Sequence, residues 1–173
     1  MDPDELIKTI EIAFAGVARP ETSLRQFLLT DRYGMSREIT DEEWTQAGKA
    51  RVDNNWTDIP DSEIEECDCQ LARMQAEEFR YYLPAYMRYS VKHYQKSIWE
   101  TDILGMCVSS LYPSSKDSSL YAYTISQFAL LDNAQNQVIV QFLKFVASMA
   151  DYVQRPDAAK ALERYWSRDV GIR

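Results

Sequence analysis

Apolar residues recur at helical spacing through most of the chain. Leu6, Ile10, Ala13, Phe14 and Val17 share one stripe, and Asp2-Pro3-Asp4-Glu5 sets a capping acid before a proline at the first helical position. A helix over residues 3–18 is predicted, ended by Arg19-Pro20. "SLRQFLLTDRYG" gives a short second helix, with Leu24, Phe27, Leu28 and Asp31 on one face and Gly34 as its stop. Thr40 and Glu43 stand in capping-box register before a third, whose stripe is Trp44, Ala47 and Arg51. Asn54-Asn55 and Pro60 then mark a loop, and Ser62 with Glu65 could cap one or two turns.

The longest helical pattern runs from about Gln75 to Tyr94, with Phe79, Tyr82, Leu83, Tyr86, Ser90 and His93 in register. Pro84 inside it has no N–H to donate and crowds the carbonyl of Arg80, so a kink or a break is expected near residue 83. Ser97 and Glu100 form another capping pair ahead of a helix closed by Pro113. In "LYAYTISQFALL" strand-like alternation competes with a helical face, and the reading taken is helix over residues 120–130. Asp132 and Gln135 cap a helix that buries Val138, Ile139, Phe142, Phe145, Val146 and Met149. Arg155-Pro156-Asp157 opens the last helix, and residues 167–173 read as a polar tail.

The expected architecture is all-α: a single compact, irregular domain over residues 1–173, of about six to eight helices, the long one kinked at Pro84. Composition agrees with it. Five glycines and six prolines in 173 residues are too few for a turn-rich β fold, and 46% hydrophobic residues are enough for a core. The acidic start is unlike a secretory signal, no apolar run is long enough to span a bilayer, and the cysteines are odd in number. A reduced cytoplasmic setting with no membrane attachment follows as the expectation.

Charge is unevenly placed. Residues 1–70 carry 17 acidic and 7 basic side chains, a balance of −10, and residues 71–173 carry 10 and 12, a balance of +2. Such an acidic half repels phosphate backbones, which disfavours direct nucleic-acid binding and favours a basic protein partner. Its densest part holds Asp58, Asp61, Glu63, Glu65, Glu66 and Asp68 beside Trp56. Two readings stay open: a solvated loop and helix face, or an electrostatic docking patch with Trp56 as aromatic anchor. In "EEFRYYLPAYMRYSVKHY", Phe79, Tyr82, Leu83 and Tyr86 read as core. Arg80, Tyr81, Arg88 and Tyr89 fall on other faces, and Arg80, Tyr81 and Tyr89 join the candidate partner-binding residues.

Catalytic and metal chemistry find little footing. Cys67 and Cys69 are one residue too close for a zinc pair, Cys107 lies on another helix, and His93 is the sole histidine. No nucleophile elbow, phosphate loop or metalloprotease motif is present, so no catalytic residue, metal or cofactor is assigned. Glu42-Glu43 and Glu77-Glu78 lie in first turns, where they suit the helix dipole.

"FRYYLPAYM", "FALLDNAQNQVIVQFLKFV" and "ALERYW", with "RYG" after the second helix and W-x-D-I at Trp56, resemble an uncharacterised family of bacterial domains of unknown function. The likeness runs from about Leu24 to Trp166 and implies a compact helical domain with no established activity. The functional expectation is a non-enzymatic, cytoplasmic protein-binding domain that docks a basic partner through its acidic N-terminal half, most concretely an immunity or antitoxin-like protein. The alternatives are a regulatory adaptor or small-ligand sensor near the Pro84 kink, and an enzyme of unrecognised type.

Overall fold

A computed structural model describes residues 1–68, 71–97, 100–113, 118–149 and 155–167. Among these the regular elements are all helical: α1 (Pro3–Ala13), α2 (Leu24–Tyr33), α3 (Asp41–Lys49), α4 (Asp61–Glu66), α5 (Ala76–Lys92), α6 (Ile103–Ser110), α7 (Ser118–Phe128), α8 (Asn133–Ala147) and α9 (Arg155–Ala161). Single 3₁₀ turns occupy Trp56–Asp58 and Leu71–Arg73, and a π-helical turn, Leu162–Trp166, extends α9. The all-α expectation holds, with nine α-helices among the described residues.

The caps explain several starts. The Asp2 carboxylate accepts the N–H groups of Asp4 and Glu5, at 3.0 and 3.1 Å. Reciprocal capping boxes open α2 (Ser23 with Gln26), α3 (Thr40 with Glu43) and α8 (Asp132 with Gln135). Two boundaries differ from expectation. Helix α1 ends at Ala13 rather than residue 18, because Gly16 turns the chain with φ +71°, a left-handed conformation that glycine adopts without steric cost. Helix α6 starts at Ile103: the Ser97 carbonyl accepts the N–H groups of Glu100 and Thr101 in a separate turn before it. The intervening residues 98–99 lie outside the described residues, as do Cys69 and the tail from residue 168.

Helix α5 is the hub. Helices α1, α4, α6 and α7 and both 3₁₀ turns pack around it, while α8 joins α1 to α9. From Tyr81 to Met87 every side chain of α5 is buried, so this helix has no solvated face there and its hydrophobic pattern is continuous. It is one helix through Pro84; the chain does not split in two at that point. Trp166 and Tyr165 close the far end, stacking on Phe128, whose ring in turn meets Phe79 of α5. No helix among the described residues is long and apolar enough to cross a membrane.

Candidate functional site

The acidic run is matched internally, residue by residue. Asp58 accepts the N–H groups of Asn54 and Asn55 at 3.1 and 2.8 Å, which holds its carboxyl below the usual range. Asp61 lies 2.6 Å from Lys92 Nζ and 2.8 Å from His93 Nε2. Burial pushes the Asp61 carboxyl up, but hydrogen bonds from Lys92 and His93 outweigh it and leave the group more acidic than normal. Arg25 of α2 spans Glu63 at 2.5 Å and Glu66 at 2.7 Å. Glu65 takes Lys96 Nζ at 2.8 Å and the Tyr89 hydroxyl at 2.6 Å, and these two donors lower its pKa. Asp68 faces Arg32 at 3.5 Å. The like-charge crowding of the run is thus relieved by cations from α2 and from the C-terminal end of α5.

Four of the expected partner-binding residues are interior. Trp56 is 2% exposed, and its indole N–H donates to the Phe14 carbonyl at 2.9 Å. The Arg88 guanidinium lies 5.3 Å from the Trp56 ring centroid and donates to the Thr57 and Ile59 carbonyls. Trp56 is therefore a core residue, because its 3₁₀ turn is folded inward between α1 and α5. Glu63 is buried under Arg25. Tyr81 and Tyr89 are buried as well, since α5 is surrounded on every side.

Their hydroxyls are used as ties. Tyr81 donates to Asp53 at 2.7 Å, Tyr82 to the Thr22 carbonyl at 2.9 Å, Tyr86 to the Cys67 carbonyl, and Tyr89 to Glu65. Each hydrogen bond fastens a different segment to the hub, and each is worth on the order of 1 kcal/mol, more where the acceptor is charged. Asp53 also accepts from Arg51 Nε and Nη2, at 3.1 and 2.9 Å, while Arg51 Nη1 donates to the Pro20 carbonyl at 2.7 Å. Arg80, the third candidate on α5, reaches Gln135 and Asp132 and so locks α5 to the cap of α8.

A recess of about 430 Å³ opens between the end of α4 and the start of α6. Glu65, Asp68, Glu100 and Asp102 line it, against Lys96 as the one cation of the lining among the described residues. Burial raises the Asp102 carboxyl, opposed by a hydrogen bond from the Gly105 backbone. Asp58, Glu65, Glu66 and Asp68 of the run are exposed, and two of them, Glu65 and Asp68, line this recess in company with Glu100 and Asp102, neither of which the sequence marked as a docking residue. Glu100 and Asp102 escaped notice because the recess is made by chain segments distant in sequence. Among the described residues no group of three His, Cys, Asp or Glu side chains could hold a metal. Cys67 and Cys107 are buried thiols, and burial pushes the Cys107 thiol well up, which keeps it from acting as a nucleophile near neutral pH.

An irregular all-α arrangement with an acidic recess is the class that the fold and site define. The chain belongs to the family of unknown function DUF6714, which matches residues 2–170. No curated protein and no solved structure matches it.

Proposed function

We propose that the chain is a non-enzymatic, cytoplasmic protein-binding domain that docks a basic partner, with an immunity or antitoxin-like protein as its most concrete form. The observation that carries this reading is the recess: among the described residues, four carboxylates and one lysine surround a concavity large enough for a partner's Lys or Arg side chains. Clustered carboxylates speed encounter with a basic surface and reject acidic ones. A toxin that must hold a nucleic acid is basic, and an acidic recess can cover such a surface. The buried thiols at Cys67 and Cys107 suit a reducing compartment. Of the acidic run, Glu65 and Asp68 line this recess, joined by Glu100 and Asp102, while Asp58 and Glu66 are exposed outside it.

The test is affinity capture from the native cell at low and high salt, with the wild-type chain and with Asp68→Asn, Glu100→Gln and Asp102→Asn combined. A basic polypeptide released by salt and bound more slowly by the neutralised chain is the expected result. Capture that is indifferent both to salt and to the three substitutions overturns the reading.

A further inference from the structure

The corner between α2 and α3 exposes three large apolar side chains: Met35 at 93%, Tyr33 at 39% and Trp44 at 38%. Helix α3 buries none of its residues, although most short helices in proteins owe their stability to a packed face. It is held by its cap and by α2 instead: Gln26 Nε2 donates to the Trp44 carbonyl at 3.1 Å and Ser23 Oγ to the Ala47 carbonyl at 3.4 Å. Thr40 and Glu43 form a capping box, and Arg37 makes a two-pronged contact with Glu43 at 2.8 and 3.0 Å. The same guanidinium stacks 4.5 Å from the Tyr33 ring centroid, bracing the end of α2 against the start of α3. Hydrogen bonds from Arg37 and then from the Thr40 backbone pull the Glu43 carboxyl down to about 2, so the brace stays charged across the physiological range.

Around this apolar group lie Glu38, Asp41 and Glu42, all exposed and in no ion pair among the described residues. The corner also adjoins the recess. Arg32, the residue before Tyr33, reaches Asp68, which lines the recess itself. Large apolar side chains are also exposed elsewhere, at Met1, Ile12, Val52, Leu120, Tyr121 and Leu130.

We infer that the basic partner seated at the recess extends over the α2–α3 corner, where Trp44, Met35 and Tyr33 anchor it by apolar contact inside a rim of carboxylates. This rests on the proposed function and adds the surface and the partner's chemistry: cationic side chains for the recess and rim, and an apolar patch for the corner. A braced aromatic surface loses little conformational freedom on binding, which favours it as the centre of an interface.

The test places a photo-crosslinking residue at position 35 of the full chain in its native cell, with position 12 as a control of similar exposure (Ile12, 78%). Crosslinking from position 35 and not from position 12, to the same basic polypeptide that the recess captures, is expected. Trp44→Ala should then raise its off-rate roughly tenfold or more while leaving the melting temperature unchanged. If the partner is captured through the recess but position 35 gives no crosslink, the corner inference falls and the proposed function stands. A crosslink from position 35 to a second copy of this chain, or equal crosslinking from position 12, also overturns the corner. If no basic polypeptide is captured at all, both fall.

Discussion

Replacing Trp56 distinguishes an interior tryptophan from a partner's anchor. The side chain is 2% exposed, its N–H satisfies the Phe14 carbonyl, and Arg88 covers its ring. Trp56→Ala removes a large buried side chain and leaves a cavity, which costs about 3–5 kcal/mol. It also leaves the Phe14 carbonyl with only the longer bond from the Val17 N–H, at 3.4 Å, and strips the Arg88 guanidinium of its ring. For a chain of this length each kcal/mol moves the melting temperature by about 2–4 °C, so a fall of about 6–20 °C is expected. Trp56→Phe keeps much of the volume and loses one hydrogen bond, so its cost should be smaller, about 1 kcal/mol, because the Phe14 carbonyl still accepts from the Val17 N–H. Urea denaturation followed by tryptophan fluorescence and far-UV circular dichroism supplies the midpoints. The slope should change little, so that the midpoint carries the loss. Trp44→Ala is the matched control, since Trp44 is surface-exposed and its loss should stay within about 0.5 kcal/mol. A Trp56→Ala chain that unfolds at the wild-type midpoint would refute the assignment of Trp56 to the core.

Asp53→Asn should destabilise the fold by about 3–5 kcal/mol, because Arg51 would keep its charge in a largely buried site without a counter-charge and Tyr81 would lose an ionised acceptor; chemical denaturation measures it, and a loss below about 1 kcal/mol counts against the tie. Glu43, Asp61 and Glu65 all have folded pKa values below their ordinary ones, so their contribution is present above the unfolded carboxyl range and is lost as pH falls. Stability should therefore decline from about pH 4.5 towards 2, and Glu43→Gln should flatten that slope; denaturation midpoints across this range decide it, and an unchanged slope refutes the brace. Cys107 should resist alkylation in the native state and react at the rate of unfolding, as read by peptide mapping, because its thiol is buried and its pKa raised.

Much of the helical order was decided locally. The Asp2, Thr40 and Asp132 caps and the stripes of α1, α5 and α8 are properties of short windows, because a helix closes its hydrogen bonds within itself and its caps act within one turn. The ambiguous "LYAYTISQFALL" also became a helix, α7, whose buried Gln127 donates to the Leu71 and Met74 carbonyls. Left-handed Gly16 shows the limit even at this scale: the apolar stripe continues to Val17, but the backbone turns first.

The placement of the site was decided by tertiary structure alone. A run of six carboxylates looks like an open acidic patch when its cations are invisible, yet Arg25, Lys92, His93 and Lys96 lie about thirty to forty residues away in the chain and meet it only on folding. A tryptophan beside that run is exposed or buried according to which way one 3₁₀ turn faces, and no local pattern fixes that. Tyr81 and Tyr89 appear amphipathic on a helical wheel and are interior because α5 is enclosed from all sides. Periodicity identifies the face a helix buries only when it has one, and the hub of this fold has none to spare. The sequence alone determined the helices; how they are enclosed, which charges cancel and which tryptophan meets solvent were set by contacts between distant segments.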